Sequence, residues 1–282
     1  MLSKESHILI VGLGLIGGSY ALGLHRAGYQ VSAIDINPDS LDYATQKGFI
    51  DNANLSEKYL INRADVIVLG LYPKKILSWI KSSQDFIHSG AILTDVNGIK
   101  AGIIDDILSI IRKDIEYISM HPMAGREVSG VKNATPDLFL NANLIITPNV
   151  TNKEETIDTI RQIGKILRFR NIEILDPIAH DKMVSFLSQL PHAIAVSLMN
   201  CRDNSHLSLY SGDSFRDLTR IANINEDLWS ELFLLNKDNL VADIDAFSQV
   251  LEDIKRKVQN DDEEGLKKLF VESTKRRKSF DK

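Results

Sequence analysis

Cysteine is almost missing from this 282-residue chain. Cys201 stands alone, so no disulfide can close within the chain and no cysteine-rich metal site can be built. Such usage suits a reducing cytoplasm. A basic excess is missing too: 33 Lys and Arg stand against 38 Asp and Glu, a net charge of -5. Nucleic-acid binding, which needs a basic face, is disfavoured. Nor is there a clean apolar run of membrane length, which takes about 20 residues. The uncharged stretch from His7 to Leu24 holds five glycines and breaks into a strand, a turn and a helix. Lys4 is followed at once by Glu5, with no small-residue cleavage pattern later, so a secretory signal is not expected. These absences leave a cytoplasmic protein whose partners are neither nucleic acid nor membrane.

Hydrophobic residues make up 44% and charged residues 25% of the chain, ordinary globular usage, and the length suggests two domains. The first part alternates short β-branched runs with helical stretches. Strands are expected at 7–11, 30–35, 65–71, 91–95, 116–119, 143–147 and 171–175, and helices at 15–28, 38–48 and 154–167. This spacing predicts a largely parallel α/β sheet. After Asp176 strand-like runs stop and helical periodicity takes over, with apolar stripes such as Ile178, Met183, Phe186, Leu187 and Leu190. The reading is two domains, 1–174 and 175–282, the second all-helical, its stripes packing within the domain and partly between subunits.

Residues 12–17 read GLGLIG between a strand and a helix. Gly12 permits the tight turn, Gly14 lets backbone approach a pyrophosphate, and Gly17 lets helix and strand pack closely. Leu15 and Ile16 open the helix, whose free N–H groups and partial positive charge suit phosphate. Asp35 follows 18 residues after Gly17, with no Arg or Lys before Lys47. Its carboxylate suits ribose hydroxyls and repels a 2′-phosphate, so NAD is preferred over NADP.

A second constellation is SMHPMAGREVSG at 119–130. Strand ends in such sheets face the ligand crevice, and His121, following a strand there, is a candidate base. The TDVNGIK loop at 94–100 brings Asn97, Gly98 and Lys100 toward a nicotinamide or substrate. Downstream, His192 sits at an expected helix break in QLPH, and Arg216 and Arg220 at i, i+4 share a helix face if their stretch is helical, suited to grip a carboxylate. From composition alone each of these residues could equally be a capped loop histidine or a surface ion pair.

The glycine turn, HPMAGREVSG, SQLPHA, FRDLTRIA and Leu228-Trp229, in that order, resemble the prephenate/arogenate dehydrogenase family. The resemblance implies a Rossmann-type dinucleotide-binding domain followed by an all-α dimerisation domain, hence a homodimer. It implies NAD-dependent oxidative decarboxylation of prephenate to 4-hydroxyphenylpyruvate in tyrosine biosynthesis, or of arogenate to tyrosine. It makes His121 the catalytic histidine, hydrogen-bonded to the substrate's ring hydroxyl. His192 contacts substrate, Arg220 binds a carboxylate, Arg126 and Lys100 are candidates for the cleft rim, and Arg126 and Asn97 count among the substrate-binding residues; no metal is implied. Two departures stand out. Gly98 occupies the place of a serine that assists the histidine in many members, and the chain ends at 282 with no room for the extra regulatory or mutase domain some members carry. The rivals are a β-hydroxyacid dehydrogenase, for which HPMAG has no place, and a non-catalytic NAD-binding protein, which would need none of His121, His192 and Arg220.

Overall fold

The computed structural model describes residues 2–51, 55–203 and 206–280. Its first part runs β1 (His7–Val11), α1 (Leu15–Arg26), β2 (Gln30–Ile34), α2 (Pro38–Gln46), α3 (Glu57–Arg63), β3 (Val66–Leu69), α4 (Pro73–Ser83), β4 (Ile92–Asp95), α5 (Ala101–Ile110), β5 (Glu116–Pro122), β6 (Asn143–Thr147), α6 (Glu154–Ile166) and β7 (Asn171–Ile174). The strands form one seven-stranded sheet in the order β2-β1-β3-β4-β5-β6-β7. Every neighbouring pair is parallel except β5 and β6. Alternation along β1 explains the double cover: Ile8 and Ile10 enter the core on one face of the sheet with Tyr20 and Leu24, while Leu9 and Val11 enter the other with Ile76 and Ile80.

The second part is helical: α7 (Pro177–Val184), α8 (Leu190–Asn200), α9 (Asp213–Thr219), α10 (Glu226–Leu235), α11 (Lys237–Gln259) and α12 (Glu263–Ser279). Asp176 starts α7 by accepting from the N–H groups of Ile178 and Ala179, with Pro177 in the first turn. The α/β-then-α architecture is the expected one. No helix among the described residues is long and apolar enough to cross a membrane.

Four local expectations change. The strand carrying His121 continues through it, because antiparallel β6 pairs His121 with Ile145 and Pro122 with Leu144 beyond the reach of β4, whose pairing stops at Ser119. No helix break occurs at His192; α7 passes through a π-helical turn at Ser185–Gln189 straight into α8. Arg216 and Arg220 do not share a helix face, since α9 ends at Thr219 and a 3-10 turn begins at Arg220. Finally, the stripe after Pro177 is split: Ile178, Phe186 and Leu187 are exposed, Met183 and Leu190 pack inward, and His180, Asp181, Ser185 and Gln189 are buried. The face that meets the nucleotide-binding half is mixed: these polar residues lie beside Val184, which joins the core of that half, and Met183, which packs against it.

Candidate active site

The turn after β1 is held by contacts only glycine allows. Gly12 has φ +95°, and a Cβ there would lie 2.6 Å from the Gly70 carbonyl oxygen. A Cβ on Gly17 would lie 1.9 Å from the Gly12 carbonyl oxygen, so α1 rests directly on the turn. Gly14 differs: a Cβ there would meet nothing within 4 Å. Its missing side chain leaves open space beside the start of α1, where Leu15 and Ile16 begin the helix and no acidic residue opposes the dipole. Asp35 lies just beyond β2, and its two oxygens accept from Leu13 N–H at 2.6 Å and Asn37 N–H at 2.8 Å. The carboxylate is thereby braced against the glycine turn, with lone pairs to spare for ribose hydroxyls. Open space, helix N-terminus and anchored acid fit a dinucleotide.

Beneath the neighbouring strand ends lies a buried charge cluster. Lys100 is fully buried, donating to Asp95 Oδ1 at 3.1 Å and to the Met120 carbonyl at 2.8 Å. Asp95 also accepts from Tyr117 Oη at 2.6 Å, from Ser119 Oγ and from Asn97 N–H at 2.9 Å. Burial disfavours the Asp95 carboxylate, but Lys100, Ser119 and Tyr117 outweigh it and hold its pKa below the usual value. Lys100 therefore belongs to the foundation of the site and not to its rim, a correction to the sequence expectation. Asn97 is buried, and its Nδ2 has no partner among the described residues.

His121 lies above this cluster. Gly98 faces its ring: a Cβ on Gly98 would stand 3.7 Å from His121 Cε1 and Nε2. His121 Nδ1 is 2.9 Å from His180 Nε2, and His180 Nδ1 is 2.8 Å from Asp181 Oδ1. Burial, then the neighbouring His180 and Lys100, hold His121 well below its ordinary pKa. It is an uncharged imidazole at neutral pH, the state a base needs.

The helical half supplies the facing wall. His192 stacks on Trp229 with ring centroids 3.6 Å apart, and its Nδ1 lies 2.8 Å from the Ser188 carbonyl, which fixes the N–H there and leaves Nε2 free. Burial lowers the pKa of His192; Glu127 and Arg220 act on it with opposite signs. Arg220 Nη1 pairs with Glu127, from the loop after β5, across the two halves. Arg126 is exposed on that same loop, while Arg216 pairs with Asp213 on its own helix. The structure thus brings Arg220 and His192 together and leaves Arg126 outside their contacts. Sequence reasoning missed His180, Asp181 and Glu127. Glu127 lies inside the HPMAGREVSG motif and could have been paired with an arginine by charge alone. Among the described residues no group of three or more His, Cys, Asp and Glu could hold a metal.

Comparison with known proteins now decides the family. Residues 20–171 match the family model for the prephenate dehydrogenase nucleotide-binding domain, and residues 176–272 match that for the prephenate dehydrogenase dimerization domain. The chain belongs to the prephenate dehydrogenase family. It is 29% identical to the prephenate dehydrogenase of Bacillus subtilis over 96% of this chain and 75% of that protein. It is 27% identical to the cyclohexadienyl dehydrogenase of Zymomonas mobilis, over 96% of this chain and 94% of that one. Among solved structures it resembles prephenate dehydrogenase from A. aeolicus in complex with hydroxyphenyl propionate and NAD+, with TM-score 0.89, 28% identity and 99% of each chain covered. As a member of the family, the chain is an oxidoreductase.

Proposed function

We propose that the family's reaction, NAD-dependent oxidative decarboxylation of prephenate in tyrosine biosynthesis, takes place between the glycine turn and the His192–Arg220 wall. The reading is supported above all by His121, an uncharged, half-buried imidazole at the C-terminal edge of the parallel strands. Gly12, Gly14, Leu15, Ile16, Gly17 and Asp35 hold the dinucleotide. A nicotinamide dinucleotide bound there would supply the acceptor for the hydride released from the substrate's ring carbon. His121 Nε2 accepts the ring hydroxyl's proton as that bond oxidises to a ketone. The ring carboxylate then leaves as carbon dioxide, its bonding electrons completing the aromatic ring, and the ring oxygen takes its proton back from His121; aromatisation makes the step practically irreversible. Arg220 grips a substrate carboxylate in exchange for Glu127. His192, held by its stack on Trp229 and its Nδ1–H bond to the Ser188 carbonyl, lines the wall that meets the substrate's side chain. Asn97 Nδ2, buried without a partner, is free to donate to whichever ring enters, and Arg126 adds positive charge at the mouth.

The domain division at 174/175 is supported by β7 ending at Ile174 and α7 starting at Pro177. The exposed apolar face of α11, with Val241, Val250 and Leu251, suits a homodimer contact, and the absence of cysteine pairs suits the cytoplasm. The test is NAD reduction followed at its absorbance band with prephenate and arogenate in parallel. Turnover of prephenate with the higher kcat/KM is expected. Turnover of arogenate alone would move the assignment to tyrosine formation, and NAD binding without turnover of either would refute the reading.

A further inference from the structure

Among the described residues, only the Nδ1 edge of the His121 ring meets a polar partner. The Nε2 edge faces Gly98, which has no side chain, and Leu232, which packs on Gly98. The Nδ1 edge meets His180, and His180 meets Asp181, both on α7 of the helical half. Asp181 is itself fixed, because its Oδ1 accepts from Lys100 N–H and its Oδ2 from Ala101 N–H, each at 2.9 Å, at the start of α5. We propose that Asp181 and His180 are positioning residues that lock His121 in the tautomer carrying its proton on Nδ1, so that Nε2 is the proton acceptor of the reaction. The inference rests on the proposed function for its kinetic arm but not for its structural one.

The direction of each hydrogen bond follows from the fixed end. An ionised Asp181 with two backbone donors can only accept, so His180 Nδ1 must carry a proton. Burial holds His180 below its ordinary pKa despite the opposing pull of Asp181, so it carries one proton only and its Nε2 is bare. A bare His180 Nε2 can only accept, so His121 Nδ1 carries the proton and His121 Nε2 has the free lone pair. Free imidazole side chains prefer the opposite tautomer, so the protein has to impose this one. On proton uptake the imidazolium of His121 keeps its Nδ1–H bond to His180, and the charge is shared with a ring backed by Asp181. The other charged groups facing the pair are Lys100, which disfavours the cation on both rings, and Asp95, which favours it on His180. The two histidines titrate as a pair, and their pH limb belongs to both.

The structural arm is nitrogen-15 NMR of the imidazole rings in the full chain at neutral pH. His121 is expected as the Nδ1–H form with an unprotonated Nε2; finding the proton on Nε2 overturns the proposal whatever the enzyme does. The kinetic arm uses His180→Leu and His180→Gln, whose amide offers both an acceptor and a donor. The Leu variant is expected to lose about 10²-fold in kcat with KM within about twofold, and Gln to recover at least about tenfold of that loss. Asp181→Asn removes the charge that favours proton uptake, so the acidic limb of the kcat profile should move to lower pH as the plateau falls. A folded His180→Leu protein with wild-type kcat and limb refutes the relay. A wild-type enzyme inactive on both cyclohexadienes would instead refute the proposed function while leaving the tautomer experiment to decide this one.

Discussion

Gly14 and Gly17 stand three residues apart in one turn, yet the structure predicts opposite consequences for replacing them with alanine. At Gly17 the new methyl would sit 1.9 Å from a backbone oxygen and 3.2 Å from Ile10 Cγ2. Neither the turn nor β1 can swing aside as a flexible side chain would. The cost is that of overpacking, about 1–3 kcal/mol or more, paid by the folded protein whether or not dinucleotide is present. At Gly14 the backbone is ordinary extended chain, φ -74° and ψ -164°, and a methyl meets nothing within 4 Å. Lost N-cap preference, about 0.5–1 kcal/mol, is offset by about 0.4–1 kcal/mol from the stiffer unfolded chain. Stability should therefore stay within about 0.5 kcal/mol of wild type by those same terms. The methyl instead fills the space reserved for the pyrophosphate. If overpacking of about 1–3 kcal/mol falls entirely on the complex, the NAD Kd rises between about 5-fold and 150-fold. Urea unfolding gives the first quantity and calorimetric titration with NAD the second. A Gly14→Ala protein that binds NAD with wild-type affinity, or that is destabilised as much as Gly17→Ala, would refute the assignment of that opening to the phosphates.

Three further outcomes follow from the same geometry. Asp35→Asn keeps an acceptor for Leu13 N–H but loses the charge, so kcat/KM for NADP should rise relative to NAD; an unchanged ratio would remove Asp35 from cofactor selection. Arg220→Ala should raise the substrate KM by about 30-fold or more, as for an unpaired carboxylate, while Glu127→Gln, releasing Arg220 from a partly exposed pair worth at most about 1 kcal/mol, should lower it by up to about fivefold. If neither KM moves, Arg220 is not the carboxylate's partner. His7, whose Nε2 bonds Ser32 Oγ at 2.9 Å, is held down to about 4 by burial. The unfolded chain takes up this proton below about 6.5 and the folded one does not. Stability should thus be full above about 6.5 and fall by at most about 3 kcal/mol as pH drops toward 4, a slope that His7→Leu should flatten in denaturation curves.

Much of this architecture was legible because its signals are local. The glycine turn, the acid after β2 and the strand spacing each reside in a few consecutive residues. Helices α4 and α5 were not anticipated, although Ile76 and Ile80, and Ile103 and Ile107, repeat at i, i+4 behind Pro73 and Ala101. What stayed hidden depends on distant partners. Lys100 looks like a rim cation in TDVNGIK; Asp95 of the same motif turns it inward, and the Met120 carbonyl on the neighbouring strand, which the motif cannot announce, completes its burial. His121 lies within a strand because β6 runs antiparallel, a choice of direction that a strand's own residues do not carry. His180 and Asp181 sit beside a plain apolar stripe, and their burial becomes sensible only once the nucleotide-binding half is packed on them.

Helices α4 and α5 begin without side-chain caps of their own, at Tyr72 and Lys100. Their caps come from the other half of the chain: Glu231 accepts from Lys74 N–H at 2.5 Å, and Asp181 from Lys100 and Ala101. A missing cap costs about 0.5–2 kcal/mol. The nucleotide-binding half cut off after residue 174 would fray at two helix starts, one of them adjoining the loop that holds Asn97 and Gly98. The helical half left behind would turn Asp181 and Glu231 out to water, with the backbone donors they now answer gone. The boundary that divides the chain so plainly in sequence is therefore a poor place to divide it in the laboratory: neither piece is a finished module, and the two should melt together.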